Sequence, residues 1–136
     1  KATITSVVGN KTPNILIQEQ IEAKEELIMG VNYDDDFGHI ILFGKGGIYT
    51  EVYSDTSTRL VYASTDELLE MIDETKVSQI LNGARGLEKL PTDKVLQALE
   101  SIQKIVLRYP EIRSMDINPA MVTVNRCIAV DVKMYI

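Results

Sequence analysis

The sequence holds a single cysteine, Cys127, and a single histidine, His39, among 136 residues. A lone cysteine excludes an internal disulfide framework, and its place in an apolar, strand-like run fits a reducing, cytoplasmic setting. No apolar run approaches the ~20 residues that span a bilayer, so no membrane partner is expected. Residues 1–10 lack the sustained apolar core of a signal peptide. Positive charge is scarce as well, with 14 Lys and Arg against 20 Asp and Glu, a net charge of −6. That balance excludes a general nucleic-acid binder, whose phosphate contacts demand a basic surface. It leaves room for a small nucleotide, whose charge a few local cations and a metal can offset. Repeats and low-complexity stretches are absent too.

What is there is ordinary globular composition, 45% hydrophobic and 25% charged, in a chain long enough for one real core. The first residue is Lys1 rather than Met, and residues 1–10 read as the end of a helix. The expectation is one domain, residues 1–136, cut from a longer polypeptide.

Alternation of apolar and polar residues predicts strands over Asn14 to Ile21, Glu25 to Tyr33, Gly38 to Phe43, Ile48 to Tyr53 and Thr58 to Ala63. Turn chemistry joins them, notably Asp34-Asp35-Asp36 and the hairpin-like Gly44-Lys45-Gly46-Gly47, which predicts a mostly antiparallel meander. The glycine-rich stretch lies between strands and matches neither phosphate-loop nor dinucleotide fingerprints. Ser64-Thr65-Asp66-Glu67 is a capping-box pattern followed by Leu68, Leu69 and Ile72, so a helix starts there. A second short helix, Lys76 to Asn82, stops at Gly83. The longest begins near Pro91-Thr92-Asp93 and ends before Pro110, with Val95, Leu99, Ile102, Val106 and Tyr109 at helical spacing. Strands return at Met115 to Asn118, Met121 to Val124 and Cys127 to Tyr135. The predicted fold is α+β, a two-layer sandwich of mostly antiparallel sheet with helices.

The closing segment carries the chemistry. If Asn125-Arg126 is a two-residue hairpin loop, Val124 faces Cys127, Val122 faces Ala129, Ala120 faces Asp131 and Asn118 faces Lys133. Period-two alternation then puts Asp116, Asn118, Asp131 and Lys133 on one face, and Met115, Ile117, Val130 and Val132 in the core. Magnesium takes one or two carboxylates and fills its shell with phosphate and water, and a lysine can meet a phosphate oxygen. The same alternation also describes a half-exposed polar face on a surface hairpin, with Asn118-Pro119 a turn starter. Pro119 can also bulge the strand and break the parity.

Asp116-Ile117-Asn118-Pro119 followed by Asp131 resembles the metal-binding end of the ATP-grasp domain in ADP-forming acyl-CoA synthetases (acetate–CoA ligases) and succinyl-CoA ligase β chains. Phe37-Gly38, Phe43-Gly44-Lys45-Gly46-Gly47-Ile48, Glu51-Val52, Arg59-Leu60, Glu74-Thr75-Lys76 and Gly83-Ala84-Arg85-Gly86 resemble that family in the same order. So does Leu16-Ile17-Gln18-Glu19-Gln20, similar to the hinge strand against which adenine lies. The resemblance implies an ATP-grasp C-terminal subdomain, with Asp116, Asn118 and Asp131 holding Mg²⁺ beside ATP or ADP. It implies nucleotide contacts from Glu19, Ile21 and Glu26, the last near the ribose, and phosphate contacts from Arg59, Arg85 and Lys133. For Glu19 a structural salt bridge, and for Glu26 a solvated acid in a charged run, are the competing readings; for Arg59 and Arg85 it is surface salt bridging. Lys45 stands where the family often has an apolar residue and receives no role. His39 stands where the family commonly has proline and reads as a strand-edge residue.

The implied activity is acyl-CoA + ADP + phosphate ⇌ acid + CoA + ATP through a phosphohistidine relay, the relay histidines lying outside this chain, which by itself is expected to be inactive. The implied partners are the N-terminal half of the ATP-grasp domain and a CoA-binding α chain or domain. Two other classes stay open: an inert or nucleotide-sensing ATP-grasp domain of a protein acetyltransferase-like multidomain protein, and a non-enzymatic α+β docking domain.

Overall fold

A computed structural model describes the chain over residues 18–47 and 54–136, apart from the Arg85 side chain. Among the described residues, six strands and three α-helices follow one another as β1 (Glu25–Asp34), β2 (Gly38–Lys45), β3 (Thr56–Leu60), α1 (Thr65–Asp73), α2 (Val77–Leu81), α3 (Thr92–Arg108), β4 (Ser114–Val122), β5 (Cys127–Ala129) and β6 (Val132–Tyr135). They form a single antiparallel sheet in the order β3-β2-β1-β4-β5, with β6 also paired to β4. The expected α+β sandwich is thus the observed one.

The core follows from strand parity. Leu27, Met29 and Val31 on β1, and Ile41 and Phe43 on β2, are buried beneath the helices. Glu26, Ile28, Asn32, Ile40 and Leu42 point to the other face, which is half-exposed or open. Helix α3 fills the core with Val95, Leu99, Ile102 and Val106, all buried, each contributing about 1.5–3 kcal/mol. Tyr109, expected on that stripe, caps the helix instead and is 47% exposed. The Arg108 guanidinium lies 5.7 Å from its ring.

Local signals explain the boundaries. Ser64 caps α1 in a capping box with Glu67, as its spacing predicts. Asp55 is buried, and its two carboxylate oxygens accept the N–H groups of Lys76 and Val77 at 2.7 and 2.9 Å, capping α2. Gly83, at φ 78°, ends the α2 region in the left-handed conformation that glycine adopts without penalty. Asp34 Oδ1 accepts from the Asp36 and Phe37 N–H groups at 2.9 and 3.0 Å, tightening the acidic β1–β2 turn.

Several expectations require correction. Residues 18–21 are not a strand, whereas residues 14–17 and the expected strand at 48–53 lie outside the described residues. The strands expected at Met115 to Asn118 and Met121 to Val124 are one strand, β4, which has a bulge against β1 and ends at Val122, with Thr123 and Val124 in the turn. The hairpin register is also different: Val122 faces Cys127, Ala120 faces Ala129 and Asp116 faces Lys133. The cause is Thr123, whose hydroxyl accepts from the Arg126 N–H at 3.0 Å while its own N–H reaches the Arg126 carbonyl at 2.9 Å. That closes the loop around Val124-Asn125, one residue earlier than Asn125-Arg126, and moves every pair by two. Val130 and Val132 are 49% and 48% exposed rather than core: a bulge turns Val130 to the uncovered face, and Val132 lies on the helix side at the outer sheet edge.

Candidate functional site

The uncovered face of the sheet gathers polar groups at the end formed by the start of β1, the end of β2 and the middle of β4. Glu26, Gly47, Asn118 and Pro119 surround an open groove of about 360 Å³ there. Three hydrogen bonds assemble it. The Gly46 N–H donates to the Glu26 carbonyl at 2.9 Å, and the Gly47 N–H donates to Asn118 Oδ1 at 3.2 Å. The Glu26 N–H donates to Glu25 Oε1 at 2.8 Å. Gly47 has φ 89°, and a Cβ added there would lie 2.7 Å from Glu26 Oε2, so a glycine is what lets this loop approach the carboxylate. The contact with Gly47 orients the Asn118 amide and leaves its oxygen a second lone pair.

Asn118 lies at the β4 bulge. Between Leu27 and Met29 the pairing of β1 with β4 shifts, so that Ile28 stands opposite both Asn118 and Pro119. The ribbon partner is bulged in step. Met115, Ile117, Ala120 and Val122 face the helices, as do Cys127, Ala129, Val132 and Met134 across from them. The parity break that Pro119 threatens does occur, yet it falls after Asn118 and leaves Asp116 and Asn118 on the same side. The Asn118 N–H donates to the Asp131 carbonyl at 3.2 Å, and the Val130 N–H to the Pro119 carbonyl at 3.2 Å. Asp131 therefore stands directly across the ribbon from Asn118, and Lys133 directly across from Asp116. Asp116, Asp131 and Lys133 are all exposed. Asp116 borders a neighbouring shallow hollow with Ile28, Gly30, Asn32 and Ser114 on the same open face.

Among the described residues no three His, Cys, Asp or Glu side chains converge as a closed metal cage. The donor set on the ribbon is two carboxylates and an amide oxygen. That set fits a magnesium ion that keeps waters and takes substrate phosphate oxygens, and it does not fit an all-protein calcium cage.

The other expected contacts are placed elsewhere. Glu19 is exposed and ion-paired with Arg126 at 2.6 Å, the salt bridge that competed with its hinge reading. That hydrogen bond, with the arginine's charge, holds the Glu19 carboxyl below its ordinary range. Ile21 is half-buried in the segment leading to β1. Arg85 belongs to a 3-10 turn, Ala84–Gly86, its side chain outside the described part. Arg59 alternates onto the helix side of β3, away from Glu26 and Asn118. Its guanidinium grips the Glu74 carboxylate at 2.6 and 3.0 Å, and Ser57 also donates to that carboxylate. The geometry does not bring Arg59 to the groove. His39 Nε2 lies 2.8 Å from the Ile112 carbonyl and its ring meets Tyr33 edge-on. It is a strand-edge residue, as expected.

The Arg59–Glu74 pair has a pH signature. Hydrogen bonds from Arg59 and then Ser57 hold the Glu74 carboxyl down at about 2, against an ordinary 4.5. A depressed carboxyl pKa stabilises the fold above the unfolded value and ceases to do so as pH falls through the folded one. The stability gap between the wild type and Arg59→Met should be constant above pH 4.5 and close between pH 4.5 and 2. Urea denaturation across that range checks it, and a gap independent of pH contradicts it.

Sequence reasoning missed Gly47 and the Glu25–Lys45 ion pair. Both signals were visible, a glycine pair ending a strand and an acid preceding Glu26, but neither has meaning until β1 and β2 are paired.

Residues 3–136 match the ATP-grasp domain family. The chain is 37% identical over 120 residues to acetate–CoA ligase [ADP-forming] I of Archaeoglobus fulgidus, covering 88% of this chain and 18% of that protein. It is 34% identical over 120 residues to acetate–CoA ligase [ADP-forming] I subunit beta of Pyrococcus furiosus, covering 88% of this chain and 52% of that one. The chain thus spans about half or less of the length of these relatives. The dinucleotide-forming acetyl-coenzyme A synthetase 1 of Ca. Korarchaeum cryptofilum, in complex with coenzyme A, Ca-AMPCP and HgCl+, superposes with a TM-score of 0.81 at 31% identity, over 98% of this chain and 58% of that one. The same enzyme with coenzyme A and Mg-AMPPCP gives 0.77 at 33% identity, over 81% and 52% of the two chains. This chain belongs to the ATP-grasp domain family, and its similarity runs to the ADP-forming acetate–CoA ligases.

Proposed function

We propose that this chain is the C-terminal half of the ATP-grasp domain of an ADP-forming acyl-CoA synthetase, supplying the nucleotide and magnesium contacts of acyl-CoA + ADP + phosphate ⇌ acid + CoA + ATP. The observation that carries the reading is the meeting of Glu26, Gly47 and Asn118 around one groove on the open sheet face, with Asp131 across the ribbon from Asn118. Relatives of the same domain family are named as ligases of this reaction class, and one structural neighbour is described with Mg-AMPPCP.

Each residue has a physical task. Glu26 accepts the ribose hydroxyls, since a carboxylate takes two hydrogen bonds at once. Asn118 and Asp131, with Asp116 beside them, hold the magnesium, and Lys133 meets a phosphate oxygen as a compact point charge. Bound magnesium neutralises charge on the transferring phosphoryl group. Without a cation, three carboxylates on this face repel a polyphosphate. The protein's share is positioning and electrostatics. The phosphohistidine relay is assigned to other parts of the enzyme, because His39 stands at the start of β2 and the groove lies beyond its end.

This face is one wall of a cleft, and a wall alone supplies only part of the contacts. Titration with Mg-ADP by calorimetry should give binding in the complete ATP-grasp domain. The isolated 136-residue chain should bind at least tenfold more weakly, a loss of about 1.4 kcal/mol or more. A complete domain that ignores Mg-ADP overturns the reading and favours a docking module. An isolated chain that binds as tightly as the complete domain contradicts the shared cleft.

A further inference from the structure

We propose that the ion pair between Lys45 and Glu25 positions Glu26 and Gly47 for nucleotide binding, an inference that rests on the nucleotide reading of their groove. The two charged side chains lie on the helix side of the sheet, with Glu25 7% and Lys45 29% exposed. The Glu25 carboxylate contacts the Lys45 ammonium and, through the same Oε1, accepts the Glu26 N–H at 2.8 Å. Lys45 pairs with Leu27 in the β1–β2 ladder, which sets Glu25 diagonally across from it. Immediately beyond Lys45, Gly46 donates to the Glu26 carbonyl at 2.9 Å and Gly47 to Asn118 at 3.2 Å. One ion pair therefore clamps the two backbones at the point where each delivers a groove residue.

Stability alone does not account for it. Desolvating two charges costs about what their attraction returns, and an apolar pair of similar volume is often as stable or more so. What an apolar pair lacks is the acceptor that Glu25 presents to the Glu26 N–H and the directional contact that sets the strand ends. The tolerance at Gly47 is narrow, since a single carbon there would stand 2.7 Å from the Glu26 carboxylate. A small slip of β1 against β2 at this point therefore displaces the carboxylate from the groove.

The test uses the complete enzyme, with ADP affinity and steady-state kinetics measured beside melting temperature. Lys45→Met should raise the Kd and KM for ADP about tenfold and change kcat less than twofold, and Lys45→Arg should recover most of the loss. The double variant Glu25→Gln with Lys45→Met removes both charges of the pair, while Asp55, the other acid near Lys45, keeps its hydrogen bonds from the Lys76 and Val77 N–H groups, which guards against misfolding. It should melt near the wild-type temperature and still bind ADP several-fold more weakly. Wild-type ADP affinity in Lys45→Met or in the double variant, whatever the melting temperature, overturns the proposal. Failure of the wild-type enzyme itself to bind Mg-ADP overturns the nucleotide reading, and this inference with it.

Discussion

Replacing Asp131 by alanine in the complete enzyme should lower nucleotide-dependent turnover by about 10²–10³-fold, the range seen when one preorganised electrostatic contact to the reacting centre is removed. The fold should survive. Asp131 is exposed, sits in the break between β5 and β6, and makes its ladder contact through a backbone carbonyl that alanine keeps. Substitutions at such sites usually shift stability by no more than ~0.5 kcal/mol. The defect should ease in part as magnesium is raised, because the lost carboxylate weakens metal occupancy first. Turnover as a function of Mg²⁺ checks this, with thermal melting as the control for folding. Wild-type turnover at ordinary magnesium removes Asp131 from the metal site.

Phe43→Ala should cost about 3–5 kcal/mol, the usual penalty for emptying an aromatic site in a packed core. Phe43 is fully buried at the centre of the sheet, opposite Met29 on β1 and Ser57 on β3. Backbone ladders on both sides restrain collapse around the gap. A domain of this size is stable by only about 5–15 kcal/mol, so the loss is a large share. The urea midpoint should drop while the slope stays the same. A loss below 1 kcal/mol would mean that the helical layer closes over the vacated space.

Much of the fold was legible because its signals are local. The capping box at Ser64 and the apolar spacing from Val95 to Val106 require only neighbours along the chain, and α1 and α3 begin where these place them. The closing ribbon is more instructive. Sequence alone puts its turn one residue too late, because nothing in the dipeptide Asn125-Arg126 reveals that the Thr123 hydroxyl captures the Arg126 N–H. The resulting error in pairing was two residues, and side chains repeat with period two, so Asp116, Asn118 and Lys133 kept their face. An error of one would have turned them into the core. Alternation failed for Val130, which the bulge turns to the open face, whereas Val132 keeps the helix side beside Ala98 and Ile105 but stays half-exposed at the sheet edge. Arg59 shows the reverse limit. Its place in a familiar succession of motifs suggests a phosphate contact, but strand parity puts it beneath the sheet with Glu74. The groove partners of Glu26 were illegible for another reason. Gly47 and Asn118 are far apart in sequence and meet only once β1 lies between β2 and β4.

The position of the metal is the decisive observable, and a paramagnetic substitution reports it most directly. The complete ATP-grasp domain is titrated with ADP and Mn²⁺ in place of Mg²⁺ while its amide resonances are followed. Broadening should centre on Gly47, Asp116, Asn118, Asp131 and the Asn118 side-chain amide, leaving Arg59, Glu74 and helices α1 and α3 sharp. Broadening centred on the helix side of the sheet, or none on the β4–β6 ribbon with nucleotide bound, would contradict it.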